Sequence, residues 1–202
     1  MIAIFDYGAG NLRSVENTLD SLGASYEIVR DAAGLRRAER IILPGVGHFG
    51  QMMRALGALG VRGALVERIR AGVPFLGICL GMQALFESSA EAPEVNGLGL
   101  YPGRVERFPA GVRAPHMGWN ELELCGSPAL LRGLGERPFV YFAHSYYVPE
   151  QVVGARAAAL VEYAVRYAAA LEAGNVFGVQ FHPEKSGALG QRAVRNFLEL
   201  PG

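Results

Sequence analysis

The chain has 202 residues, half of them hydrophobic and 19% charged, with 19 basic residues balancing 19 acidic ones. This is the composition of a globular protein with an ample core, and without a basic block it offers no surface for nucleic acid or an acidic membrane. Met1–Phe5 is apolar but stops at Asp6, too short for a signal segment, and no run could span a bilayer. The two cysteines, Cys79 and Cys125, make no disulfide framework, so a cytoplasmic protein is expected, formed as one domain over residues 1–202.

In chain order, Met1–Asp6 reads as a buried first strand, followed by a turn over Tyr7–Asn11. A helix is predicted from Leu12 to Leu22, with Leu12, Val15 and Leu19 on one face and Gly23 ending it. Tyr26–Arg30 and Arg40–Leu43 read as strands. The second of these leads into Pro44-Gly45-Val46-Gly47, where glycines let backbone N–H groups approach a ligand. A long helix is predicted over Phe49–Arg70, interrupted near Gly57 and Gly60. Alternating strands and helices indicate an α/β fold with a parallel sheet whose functional loops lie at the strands' C-terminal ends.

Val73–Glu87 is the most informative stretch. Phe75–Ile78 has the length and composition of a buried strand, and Leu80, Ala84 and Leu85 recur at helical spacing. Between them Gly77-Ile78-Cys79-Leu80-Gly81 matches a nucleophile elbow with cysteine in the nucleophile's place. Glycines flank the cysteine where a Cβ would clash, and a helix beginning there points its positive dipole end at the sulfur, favouring thiolate.

Beyond Ser88 the character changes. Glu91–Gly97 is a polar connection, Arg104–Phe108 a strand, and Pro115–Leu124 a loop continuing as an alternating strand. Ser127 is placed to cap a short helix over Pro128–Leu134. Phe139–Val148 is strongly β-forming. Ala155–Ala173 combines helix-favouring alanines with Val161, Tyr163, Val165 and Tyr167, and reads as a hairpin or meander, with a turn at Gly174-Asn175 before Val176–Phe181. An amphipathic helix over Gly187–Leu200 closes the chain.

In Phe181-His182-Pro183-Glu184, residues two apart in an extended chain project to the same side. His182 and Glu184 then form the pair a cysteine nucleophile needs, an imidazole to carry the proton and a carboxylate to fix its tautomer. His48, His116 and His144 lack an acidic residue at that spacing. No His/Cys/Asp cluster has metal-ligand spacing, and neither metal nor cofactor is expected. Lys185, beside this pair, is the sole lysine among the 19 basic residues.

Gly77–Gly81 with Phe181–Glu184 resembles the triad (class I) glutamine amidotransferases. Asp6–Leu12, Pro44–Gly50, Cys79–Gln83, Pro115–Asn120 and His182–Ser186 are together similar to the family of glutaminase subunits of imidazole glycerol phosphate synthase, which acts in histidine biosynthesis. The resemblance implies a mainly parallel central sheet flanked by helices, with additional β structure in the C-terminal half. It implies Cys79 as nucleophile, His182 as general base and acid, and Glu184 as its orienter. Val46, Gly47 and Leu80 match oxyanion positions, and Gln83, Glu91, His144, Ser145 and Tyr146 match glutamine-binding positions. Asn11, Met117, Trp119, Tyr141 and Lys185 match positions facing a (β/α)₈-barrel cyclase subunit in a heterodimer. Two alternatives are the glutaminase subunit of pyridoxal-phosphate synthase, which should carry a Gly-Gly-Glu-Ser-type segment where this chain has Pro-Gly-Val-Gly, and a stand-alone cysteine hydrolase.

Overall fold

A computed structural model describes residues 1–9 and 11–201. The predicted turn over Tyr7–Asn11 includes Gly10, which lies outside the described residues. The first half alternates β1 (Ile2–Phe5), α1 (Leu12–Ser21), β2 (Tyr26–Val29), α2 (Ala32–Arg37), β3 (Arg40–Gly45), α3 (Phe49–Ala58), α4 (Arg62–Arg70) and β4 (Phe75–Cys79). It continues through α5 (Leu80–Gln83), β5 (Phe86–Ser89), β6 (Tyr101–Arg107), β7 (His116–Glu121) and β8 (Glu123–Leu124). The remainder comprises β9 (Phe139–His144), β10 (Tyr146–Tyr147), α6 (Glu150–Val153), β11 (Ala157–Tyr163), β12 (Val165–Ala173), β13 (Val176–Val179) and α7 (Gly187–Glu199).

The main sheet runs β2-β1-β3-β4-β13-β12-β11-β8. Pairings from β2 through β13 are parallel, and those from β13 to β8 antiparallel. Successive side chains on a strand face opposite ways, so each central strand must be apolar on both faces. Ala3 and Phe5 of β1, Ile41 and Leu43 of β3 and Phe75 of β4 join one buried cluster with Met52, Leu56, Leu65 and Ile69 of α3 and α4. Ile4, Ile42, Leu76 and Ile78 point into the other, with Val15 and Leu19 of α1 and Ala193, Val194 and Phe197 of α7. The predicted break in the long helix falls between Ala58 and Arg62, where Gly60 takes φ +65°.

Several expectations are corrected. The helix after the elbow is a single turn, because Phe86–Ser89 leaves it to pair with β6. Ala32–Arg37, unassigned from sequence, is a short helix capped by Asp31, whose carboxylate accepts from the Gly34 N–H at 2.7 Å. Pro128–Leu134 forms turns instead of a helix. Ser127 does not cap it; the Glu172 carboxylate of β12 accepts from the Ala129 and Leu130 N–H groups at 3.2 and 3.1 Å. Phe139–Val148 forms β structure as expected, in two strands, β9 and β10. It pairs with β7 up to His144, then crosses at Ser145 to pair with β6 through Tyr146 and Tyr147. The β11–β12 hairpin over 157–173 turns at Ala164, with φ +60°.

At the centre, glycine is required for closeness. A Cβ on Gly81 would lie 1.9 Å from the Leu43 carbonyl oxygen, and one on Gly77 2.6 Å from the Gly81 backbone. Neither neighbour can rotate away. Gly81→Ala is therefore expected to destabilise the fold by the upper end, or more, of the ~1–3 kcal/mol typical of overpacking. Gly57→Ala in α3, where an added Cβ meets nothing within 4 Å, should instead stabilise by roughly 0.5–1 kcal/mol. Equilibrium urea unfolding of the two variants beside the parent checks both signs.

Candidate active site

Cys79 ends β4, where the chain turns directly into α5, with φ 55° and ψ −108°. A non-glycine residue held there carries about 1–3 kcal/mol of backbone strain, which the packed glycines on either side sustain. The side chain is buried at the C-terminal edge of the sheet, beside Gly45 of β3. Gln180, just beyond β13, directs its amide Nε2 at the sulfur from 3.5 Å. With only one turn of helix behind it, α5 supplies less dipole at the sulfur than the sequence suggested.

The principal neighbour is His182. It is 3% exposed, and its Nδ1–H donates to Glu184 Oε1 at 2.8 Å, which leaves Nε2 to the sulfur. The predicted pairing is present, for a different reason. The chain is not extended past His182; Pro183–Lys185 forms a 3₁₀ turn that brings the carboxylate under the imidazole. The His182 N–H donates to the Tyr141 carbonyl at 2.9 Å. The Ser186 hydroxyl donates to the His182 carbonyl at 2.7 Å and accepts from the Tyr141 N–H at 3.0 Å. Burial alone would lower the imidazole's pKa, but its hydrogen bonds to the Cys79 sulfur and the Glu184 carboxylate, with their charges, raise it to about 10.

A cavity of about 230 Å³ opens over Cys79. Its walls bring together Val46, Gly47 and Leu80 with Gln83, Glu91, His144, Ser145 and Tyr146. Several of these side chains already have partners. Gln83 Nε2 donates to the Tyr146 carbonyl at 2.8 Å and to Gln180 Oε1 at 2.9 Å. Glu91 Oε2 accepts from the Phe49 N–H, at the start of α3, at 2.7 Å. The Tyr7 hydroxyl donates to the Val46 carbonyl at 3.1 Å and accepts from the Val46 N–H at 3.3 Å. The peptide group is planar and trans, so the Gly47 N–H points away from that hydroxyl, and among the described residues nothing accepts from it.

The residues expected to face a partner divide. Met117 and Trp119 are 65% and 56% exposed on the β7–β9 ribbon, where register sets Trp119 beside Tyr141. Their rings meet edge to face at 6.1 Å, and Lys185 Nζ lies 5.9 Å from the Tyr141 ring centroid. Asn11 is exposed and stands apart from the ribbon at the start of α1, a helix that packs on the Pro183–Lys185 turn. Sequence reasoning missed Gln180 and Tyr7. A glutamine inside the apolar run Val176–Phe181 was the visible signal for the first.

Because His182 is raised above its ordinary value of 6.5, the stability gained from its protonation is complete below that pH and lost as pH rises through about 10. Glu184→Gln removes one of the raising interactions and should bring that upper limit down. A histidine NMR titration, with unfolding free energies at pH 7 and pH 10, should show a lower His182 pKa and a weaker pH dependence of stability in the variant.

A family profile described as "Glutamine amidotransferase class-I" matches residues 3–200. The chain is 46% identical to "Imidazole glycerol phosphate synthase subunit HisH" of Moorella thermoacetica, over 98% of this chain and 94% of that one. It is 48% identical to the protein of the same description from Methanothermobacter thermautotrophicus, over 99% and 98% of the two chains. Among solved structures, "Crystal structure of glutamine amidotransferase" superposes with a TM-score of 0.78 at 23% identity, covering 98% of this chain and 97% of the other. "Structure of PurLQS from Thermotoga maritima" does so with a TM-score of 0.76 at 21% identity, over 98% and 96%. These two likenesses speak to the fold. With a family match over almost its whole length and relatives at nearly half identity, the chain belongs to the class-I glutamine amidotransferases and, among them, to the HisH subunits of imidazole glycerol phosphate synthase.

Proposed function

We propose that this chain is the glutaminase subunit of an imidazole glycerol phosphate synthase, hydrolysing glutamine at Cys79 and passing the ammonia to a cyclase subunit for histidine biosynthesis. The observation that carries the reading is Cys79, held in a strained elbow at the floor of a small cavity, with the His182–Glu184 pair beside it. At about 230 Å³ the cavity is smaller than the ~300–1,000 Å³ of drug-sized sites and suits a compact substrate.

The cysteine sulfur, as thiolate, attacks the side-chain amide carbon of glutamine while the carbonyl π electrons move onto oxygen. The Gly47 and Leu80 N–H groups stabilise that oxyanion, each donor being worth ~10²–10³ in rate. His182, as imidazolium, gives its Nε2 proton to the departing nitrogen, which leaves as ammonia when the C–N bond breaks. Neutral His182 then takes a proton from water as the water attacks the thioester. Collapse of the second tetrahedral species releases glutamate and restores thiolate and imidazolium. Glu184 holds the Nδ1–H throughout and fixes the tautomer. Gln83, Glu91, His144, Ser145 and Tyr146 enclose the substrate's amino-acid end.

The partner, a (β/α)₈-barrel cyclase, docks on the exposed ribbon carrying Met117, Trp119 and Tyr141, with Lys185 and Asn11 at its margin. This arrangement fits one domain over residues 1–202 and a cytoplasmic heterodimer. Among the described residues no helix is long and apolar enough to cross a membrane.

Cys79→Ala is the direct test. Glutamine-dependent synthesis by the variant complex should fall to background, while synthesis from added ammonium stays within about twofold of the parent complex. Substantial glutamine-dependent product from this variant would remove Cys79 as nucleophile.

A second test concerns Pro44–Gly47, whose peptide groups on either side of Val46 both hang on the Tyr7 hydroxyl. The glycines let the segment turn, and a partner can select one orientation only by binding it better. Glutamate release by the isolated chain should be slower than by the cyclase complex carrying its barrel ligand by at least the ~10²–10³ of one oxyanion donor. Equal turnover in both would favour a stand-alone hydrolase.

A further inference from the structure

Behind the cavity wall a line of polar side chains joins His144 to Tyr167 and His116, two residues that the chemistry above does not use. Tyr167, in β12, is fully buried. Its hydroxyl lies 2.7 Å from His116 Nδ1 and 3.0 Å from His144 Nε2. His116 Nε2 is 3.5 Å from the Asn120 amide nitrogen, and His144 Nδ1 is 2.8 Å from the Tyr146 carbonyl oxygen.

The direction of every bond follows from the last one. A carbonyl only accepts, so His144 Nδ1 carries a hydrogen. A neutral imidazole has one N–H, so His144 Nε2 is an acceptor and the Tyr167 hydroxyl must donate to it. That hydroxyl has a single hydrogen, so it accepts from His116 Nδ1–H, and His116 Nε2 is left to face the Asn120 amide donor. Neutrality comes from burial, which brings His116 down to about 4. It also lowers His144 to about 3, against the opposing pull of the Tyr146 carbonyl and with the added repulsion of His116 and His182.

The line continues to the sulfur. The Tyr146 carbonyl that receives His144 also receives Gln83 Nε2; Gln83 Nε2 donates to Gln180 Oε1, and Gln180 Nε2 faces Cys79 Sγ. At its other end stand His116 and Asn120 of β7, the strand that exposes Met117 and Trp119. We propose that Tyr167 is a positioning residue for glutamine binding: its hydroxyl, donating to His144 Nε2, fixes that imidazole and through it the Ser145–Tyr146 wall of the cavity.

This inference rests on the glutaminase reading. The ring of Tyr167 packs edge-on to Phe108 and Phe142, contacts a phenylalanine would keep. Tyr167→Phe would therefore remove only the hydroxyl, leaving His144 Nε2 without its donor and His116 Nδ1–H without its acceptor. In the complex with the cyclase, the variant's KM for glutamine should rise by roughly three- to tenfold, as for loss of a hydrogen bond, with kcat within about twofold. Ammonium-dependent synthesis should stay unchanged. Nitrogen-15 spectra at pH 7 should show both imidazoles of the parent as neutral Nδ1–H tautomers.

His116→Phe supplies the directional control. It keeps a ring stacked between Phe142 and Tyr163 and leaves Tyr167 free to donate to His144, so its KM should rise by less than about twofold. The proposal is overturned by an unchanged KM in Tyr167→Phe, by an effect of His116→Phe as large, or by the other His144 tautomer in the parent. A parent complex that releases no glutamate from glutamine would instead overturn the glutaminase reading, and the spectra would still judge the hydrogen-bond order.

Discussion

The structure depends on how closely three backbone segments approach at the end of β4. Gly77, Gly81 and the Leu43 carbonyl share a space that no Cβ could enter. That closeness bends the chain within one residue and forces Cys79 into a conformation that L residues avoid. The sulfur consequently stands above the sheet instead of lying in it. The nucleophile's position is set by main-chain contacts, which are stiff, and only its finer orientation is left to the side chains of Gln180 and His182, beyond β13.

A second organising feature is the change of sheet at Ser145. Up to His144 the chain belongs to the ribbon with β7; from Tyr146 it pairs with β6. Ser145, between the two ladders, accepts through its carbonyl from the Phe108 N–H at 3.2 Å and lines the cavity. The Tyr146 carbonyl accepts both His144 and Gln83. One oxygen thus joins the cavity's outer wall to the amide network beneath the sulfur.

The parts legible in the sequence were those whose physics is local. Gly77–Gly81 and His182–Glu184 each place their chemistry within five residues, and the strands β1, β3 and β4 announce themselves as apolar runs. Where distant partners decide, local reading failed. Pro128–Leu134 has the composition of a helix, but a carboxylate from β12 takes its first N–H groups and turns result. The helix after Cys79 is stopped by a strand pairing with β6 that no local pattern foretells. Gln180 and Tyr7 were passed over because their partners lie 101 and 39 residues away. Without the family resemblance Trp119 reads as a core aromatic; on the β7–β9 ribbon it is exposed.

The closed ring of bonds among His182, Ser186 and Tyr141 has a mechanical consequence. Both the N–H and the carbonyl of His182 are fastened, directly or through one hydroxyl, to a single residue of β9. On its side-chain face that residue meets Trp119 and lies beneath Lys185. Strand β9 is therefore a common floor beneath the imidazole and the outer aromatic patch. A load placed on the patch reaches the imidazole's main chain through one residue, Tyr141.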